Sequence, residues 1–340
     1  MSITDSFYDT TLPQLIDDHD IVHIYRHVNP DPDAIGSANG LAEVISFNFF
    51  DTLVRVAGDD TLDMWAMPDS RFSAPREDDY NARVLAIVVD TATASRIDGD
   101  GYTRATTVVK LDHHPTNQLD DDYTFADFEH VNTGASSAAE VVTSFATRFE
   151  WEISKRAAHF LYAGLLSDTG SFSYNVRPST FATAATLAAT GIDVVAIKQA
   201  SQIHTRGQVA AYGYIAADMA GMHPGAGYNV TTIVDSDMWD FNFTATDAHA
   251  AVNAARTMEG LEAWAVAVQL EDRVDDNDQP LFRVSLRSNG PEINGIASHF
   301  GGGGHPLAAG CRVSEHQIVD IETMLAKAVR DFREAESNKE

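Results

Sequence analysis

Three short apolar runs in the first third of the chain each end on an acid or a histidine, and nothing else in the sequence restricts the fold as tightly. Ile21 to Tyr25 leads into His27-Val28-Asn29-Pro30-Asp31-Pro32-Asp33. Val84 to Val89 leads into Asp90, and Thr106 to Leu111 into Asp112-His113-His114. Largely apolar, β-branched runs of this length read as strands buried on both faces, the habit of parallel sheets. Thr52 to Val56 is a fourth such run, and Ala34 to Phe47 has helical spacing. Alternating strand and helix predicts an α/β domain with a largely parallel sheet. Such sheets bind ligands outside the carboxyl ends of their strands, so one sheet edge receives at least six potential ligands.

The donor types narrow the chemistry. Carboxylates and imidazoles without thiolates suit manganese, magnesium, cobalt or iron better than structural zinc. The single cysteine, Cys311, excludes an intramolecular disulfide and a thiolate zinc cluster. Asp168, at the end of an Ala-rich helix, opens Asp168-Thr169-Gly170-Ser171 and adds another acid. Six or seven donors exceed the needs of one ion. Two divalent cations about 3.5–4 Å apart, sharing a bridging carboxylate, account for them, with manganese the first expectation.

With 340 residues and 44% hydrophobic content, the chain can bury two cores. Helices are expected at Gly134 to Phe145, Lys155 to Leu166 with Ser154 as N-cap, and Thr180 to Thr190, closed by Gly191. Residues 1–190 read as a catalytic domain, 191–225 as a helical connector, and 226–335 as a smaller α/β domain. That second unit should hold a strand at Asn229 to Val234, a helix at Thr246 to Met258, and strands at Ala263 to Leu270 and Leu281 to Arg287. A turn at Asp275 to Gln279 should join the latter two. A helix at Ile293 to Phe300, four glycines, a strand at Cys311 to Val313 and a last helix from Gln317 follow, with a disordered tail after Arg333. MSITDSFYDT lacks the features of a signal peptide, and no apolar run approaches the ~20 residues of a membrane helix. A cytoplasmic protein without a membrane partner is expected.

Fifty acidic against 23 basic residues leave a net charge of −27, and only five of the 23 are lysines. In molar salt the Debye length falls to about 3 Å and the self-repulsion is screened, which reads as adaptation to a salt-rich cytoplasm. The same acidity argues against long duplex nucleic acid, whose binding needs a basic surface and counterion release. A small nucleotide held by metals and a few arginines remains feasible. Gly301 to Gly304 lack the Lys-Ser/Thr of a Walker loop and the spacing of a dinucleotide fold. Their backbone N–H groups can nonetheless form an anion nest, with Arg287 and His305 adding charged contacts. Ser136 and Ser137 either touch substrate or cap the helix that follows.

Taken together, Asp112-His113-His114, the His27 to Ser37 segment, Asp90 after its strand and Gly164 to Phe172 resemble the motifs of the DHH phosphoesterases. Gly301 to Gly310, preceded by Ser285-Leu286-Arg287-Ser288, resembles the DHH-associated C-terminal domain. The resemblance implies an N-terminal parallel-sheet domain, a smaller C-terminal α/β domain and an active site in the cleft between them. It implies that His27, Asp31 and Asp90 hold one metal while Asp33, Asp90, His113 and Asp168 hold the second. His114 would face the scissile phosphate, and Asp112 would orient the imidazoles. Arg287, Gly302, Gly303, Gly304, His305 and Ser136 would contact substrate. The nearest subgroup hydrolyses short oligoribonucleotides and 3'-phosphoadenosine 5'-phosphate by in-line attack of water. Alternatives within the resemblance are a cyclic or linear dinucleotide phosphodiesterase, a RecJ-like single-strand exonuclease, and a non-catalytic replisome scaffold. A homodimer is left open.

Overall fold

The computed structural model describes residues 11–58, 67–115, 122–223, 225–275 and 279–338. The segment MSITDSFYDT, at 1–10, lies outside the described residues, as do Pro224 and the middle of the expected 275–279 turn. Two compact units divide between Ile203 and His204.

In the first unit β1 (Ile21–Tyr25), β2 (Leu53–Val56), β3 (Val84–Val89), β4 (Thr107–Asp112) and β5 (Phe128–Val131) form one sheet in the order β2-β1-β3-β4-β5. Every pairing is parallel. β1 and β3 are buried at every residue, as their largely apolar composition demands. The chain leaves β1 toward β2 on one side and later returns to β3 on the other. The order therefore reverses between β1 and β3, and a crevice opens at their carboxyl ends. β5 escapes the sequence reading because its Phe128 and Glu129 are exposed and it is only four residues long.

Helices α1 (Leu12–Asp17), α2 (Pro32–Asn48), α3 (Ala138–Arg148), α4 (Lys155–Asp168), α5 (Pro178–Ala189) and α6 (Val194–Ala200) complete this unit. One sheet face packs Val22, Ile24, Ile87 and Val109 against Leu41 and Ile45 of α2, Phe145 of α3 and Leu161 of α4. Close approach of α2 and α4 depends on two glycines. A Cβ on Gly36 would stand 2.5 Å from the Phe160 carbonyl oxygen, and one on Gly164 would stand 2.7 Å from Asp33 Oδ1. The first turn of α2 is thereby pressed against α4.

The second unit contains α7 (Arg206–Ala220), β6 (Tyr228–Ile233), α8 (Asp235–Phe241), α9 (Ala245–Ala250), β7 (Ala263–Val274), β8 (Pro280–Ser288), α10 (Asn294–His299), β9 (Gly303–His305), β10 (Ala308–Ser314) and α11 (Ile318–Ser337). Its sheet has the order β6-β7-β8-β10-β9, with β6 and β7 parallel and the remaining pairs antiparallel. Ala263, Ala265, Phe282, Val284 and Leu286 pack against Ile321, Leu325 and Val329 of α11. On the opposite face Trp264, Val266 and Val268 pack against Ile215, Met238 and Ala248.

Several expectations change. The helix expected over Thr246 to Met258 stops at Ala250, and turns follow. The Val252 carbonyl leaves the helical pattern to accept the indole N–H of buried Trp264 at 2.7 Å. The tail after Arg333 is helical to Ser337. Arg333 anchors it by pairing with Glu262 at 2.9 Å and donating to the Gly225 carbonyl at 2.8 Å. The 191–225 stretch holds α6 in the first unit and α7 in the second. Part of the glycine run is the extended edge strand β9, because Gly303 to His305 pair with Ala308 to Gly310.

Candidate metal centre

The carboxyl ends of β1, β3 and β4 are neighbours in the sheet, so His27, Asp90 and the Asp112-His113-His114 triplet converge without any long-range adjustment. Asp90 follows β3 with φ +52, a left-handed conformation that Asp tolerates better than most residues. Strain of this kind concentrates where a side chain must be aimed. Asp90 turns one oxygen each way: Oδ2 lies 3.5 Å from His27 Nε2, while Oδ1 lies 3.3 Å from His113 Nε2 and 3.6 Å from His114 Nδ1.

Two groups of donors flank it. On one side stand His27, Asp31 and Asp90, with His27 Nε2 3.9 Å from Asp31 Oδ2. Asp31 is also the N-cap of α2, accepting through Oδ1 from Asp33 N and Ala34 N at 2.9 and 3.0 Å, so its other oxygen turns toward His27. On the other side stand Asp33, His113 and Asp168, with His113 Nε2 4.0 Å from Asp33 Oδ2 and 3.4 Å from Asp168 Oδ2. Asp33 is fully buried, and its carboxylate accepts from Ala138 N and Ala139 N at the start of α3. Asp168 comes from the last turn of α4.

Hydrogen bonds set the imidazole tautomers. His27 Nδ1 lies 2.9 Å from the Val28 carbonyl, which only accepts, so that nitrogen carries the hydrogen and Nε2 faces the carboxylates. Asp112 is fully buried, and its Oδ1 accepts from His113 N, His114 N and His114 Nδ1 at 2.8, 3.2 and 2.8 Å. His114 Nε2 is left to face away from Asp112.

The charges are poorly matched without a cation. Burial, then repulsion from Asp90 and Asp31, pushes the Asp168 carboxyl well above the usual range. Burial and repulsion from Asp168, Asp90 and Asp31 do the same to Asp33, and burial with Asp90 raises Asp31. Burial works against ionised Asp90 too, but the His113 and His27 imidazoles outweigh it and hold that carboxyl low. Burial also opposes protonation of His114, yet Asp112 and Asp90 raise its pKa. Asp90 Oδ1 and His113 Nε2 are buried with no hydrogen-bond partner. Orphaned polar atoms of this kind, beside crowded carboxylates, are what a divalent cation would satisfy, and the oxygen and nitrogen donors fit one.

The other expected site residues lie in different surroundings. Ser136 is buried, and its hydroxyl donates to Glu140 Oε2 at 2.5 Å, while Ser137 caps α3. Arg287 lies half-buried on β8, and His305 is exposed on β9. Gly302 and Gly304 are demanded by the fold: a Cβ on Gly302 would collide with the Gly310 carbonyl oxygen, and one on Gly304 would stand 2.5 Å from that of Ala308. A Cβ on Gly303 meets nothing within 4 Å. Two cations near the centre are absent from the sequence reading. Arg96 is exposed, and its charge opposes protonation of His114. Lys110 is buried 4.0 Å from Asp112 Oδ2 and donates to the Ala92 carbonyl. A lysine inside an otherwise apolar strand was the available signal for the second; Arg96 offered none.

The DHH family N-terminal domain matches residues 21–165, and the DHHA1 domain matches 226–334. A Streptococcus mutans protein named "Probable bifunctional oligoribonuclease and PAP phosphatase NrnA" is 34% identical over 297 residues, covering 86% of this chain and 89% of its own. The bifunctional oligoribonuclease and PAP phosphatase NrnA of Bacillus subtilis is 30% identical over 331 residues, covering 93% and 98%. The crystal structure of an exopolyphosphatase-related protein from Bacteroides fragilis superposes with a TM-score of 0.76 at 21% identity, covering 96% and 98%, which shows a shared fold. Among the described residues no single helix is long and apolar enough to cross a membrane.

Proposed function

The chain belongs to the DHH family, and from that premise we propose that it is a metal-dependent phosphoesterase acting on short oligoribonucleotides and on 3'-phosphoadenosine 5'-phosphate. The observation that carries this reading is Asp90, whose two oxygens point to separate donor groups as a bridging ligand requires. His27, Asp31 and Asp90 hold one divalent cation, and Asp33, Asp90, His113 and Asp168 hold the other, with manganese favoured by the oxygen-rich donor set. Bound there, the two cations supply an activated water and neutralise charge on the phosphate oxygens. His114, steadied through Nδ1 by Asp112, presents Nε2 to the scissile phosphate. Arg287, His305 and the backbone at Gly302 to Gly304 grip the substrate away from the reacting phosphorus. The names of the Streptococcus and Bacillus relatives support the two substrates, and the net charge of −27 supports short ones. A cytoplasmic site of action is part of the same proposal.

The test is a panel with manganese: RNAs of two to 24 nucleotides, 3'-phosphoadenosine 5'-phosphate, cyclic and linear di-adenylate, and pyrophosphate. Mononucleotides from the shortest RNAs and phosphate from 3'-phosphoadenosine 5'-phosphate are expected. Cleavage confined to pyrophosphate or to the cyclic dinucleotide would overturn the assignment.

A further inference from the structure

The face of the second sheet opposite α11 is covered over only part of its width. Helices α7 and α9 pack over β6 and β7, where Trp264, Val266 and Val268 are buried. Cross-strand register carries the same face onto β8, β10 and β9, where the rows are Arg287–Ala308–His305, Ser285–Gly310–Gly303 and Arg283–Arg312. All of these positions are exposed or half-buried, and none is acidic.

The Arg283–Arg312 row is the unusual one. Like charges directly opposite on neighbouring strands destabilise a sheet, and both side chains are exposed. Among the described residues neither makes an ion pair, in a chain with 50 acidic side chains to offer. Between them and Arg287 the floor is small: Ser285, Gly310 and Gly303, with open space above Gly303. Arg283 and Arg287 lie four residue steps apart on the strand, about 14 Å at ~3.4 Å per residue, which is longer than one nucleotide unit. Guanidinium groups grip phosphate oxygens through paired N–H bonds, and an anion lying between Arg283 and Arg312 would relieve their repulsion.

We propose that Arg283 and Arg312 bind a backbone phosphate of single-stranded RNA beyond the nucleotide held by Arg287 and His305. This face is then a short track that separates oligonucleotide from mononucleotide substrates. The proposal deepens the assigned function and rests on it.

Arg283→Gln, Arg312→Gln and the double variant in the full-length protein test it, using RNAs of two to six nucleotides and 3'-phosphoadenosine 5'-phosphate with manganese. For RNAs of four or more nucleotides the double variant should raise KM about tenfold, the scale of a lost charged hydrogen bond. KM for 3'-phosphoadenosine 5'-phosphate should stay within twofold. The salt dependence of the hexamer KM should flatten, as loss of a phosphate contact requires. An equal rise on both substrates, or no rise on either, overturns the proposal. Fluorescence anisotropy of a labelled RNA hexamer separates the two readings. Arginine-dependent binding by a protein that cleaves no RNA would retain the track and discard the hydrolytic assignment, whereas wild-type affinity in the double variant discards the track. Melting curves verify folding, and removal of the like-charge pair should not lower them.

Discussion

At the strand ends of the first sheet Asp33, Asp90 and His113 are at most 6% exposed, whereas on the face of the second sheet Arg283, Arg312 and His305 stand in solvent. The first site gathers acids where water cannot screen them; the second spreads cations where it can. Buried charges interact strongly through a low effective dielectric, and exposed ones contribute about 0–1 kcal/mol each. Single substitutions should therefore act as near all-or-none events in the first unit and as graded ones in the second.

The largest test of that contrast is Asp90→Asn. Asn accepts the left-handed backbone at φ +52, so the fold should survive. Without a bridging carboxylate, hydrolysis of every substrate should fall by at least about a thousandfold, ~4 kcal/mol of barrier. Kinetics with metal analysis by elemental spectrometry measure it; more than a tenth of the wild-type rate with two metals retained would break the contrast at its strongest point.

Metal removal comes next. A cation offsets the repulsion among Asp31, Asp33, Asp90 and Asp168, so chelation should destabilise the first unit. At a metal concentration of 100 times Kd the linkage is about 2.7 kcal/mol, or roughly 5–10 °C in melting temperature. Scanning calorimetry should show the shift in the first unit's transition alone. An unshifted transition would mean that the acids are not a binding site.

Within the second unit the glycines divide by what they touch. Gly302→Ala should cost about 1–3 kcal/mol, because its methyl collides with the backbone at Gly310. Gly303→Ala should leave denaturation midpoints unchanged and raise KM for nucleotides. Equal stability losses in the two variants would show that the strand, and not the substrate, requires both glycines.

Two histidines make stability depend on pH. Burial holds His130, and burial together with the Arg283 charge holds His249, at a pKa of about 4, against ~6.5 in the unfolded chain. Above pH 6.5 neither state binds the proton and stability is intact. As pH falls from 6.5 toward 4 the unfolded chain takes up protons that the folded chain refuses, so stability declines. Urea midpoints between pH 7 and 4.5, in molar potassium chloride to screen the acidic surface, should fall, and the His130→Asn, His249→Asn double variant should flatten the slope. An identical slope would place the decline elsewhere.

Legibility differed along the chain for physical reasons. β1, β3 and β4 were readable because both faces are buried and their runs are largely apolar. β5 was not: as an edge strand it keeps Phe128 and Glu129 exposed, and its pairing with Val109 to Asp112 is a long-range fact. The stop of α9 at Ala250 depends on Trp264, which claims the Val252 carbonyl from another strand. The helical end at Ser337 depends on Glu262, 71 residues before Arg333.

The sequence alone determined which acids and histidines lie at the sheet's edge and in what order, because a residue directly after a parallel strand lies at the sheet's carboxyl edge wherever that strand is placed. Only the tertiary structure decided that β1 and β3 are adjacent, that Asp90 turns an oxygen to each group, and that α3 presents its N-terminus to Asp33. Only it set Arg283 opposite Arg312. Strand order and register arise from packing between segments far apart in the chain, and local composition carries no record of which partner will lie across the ladder.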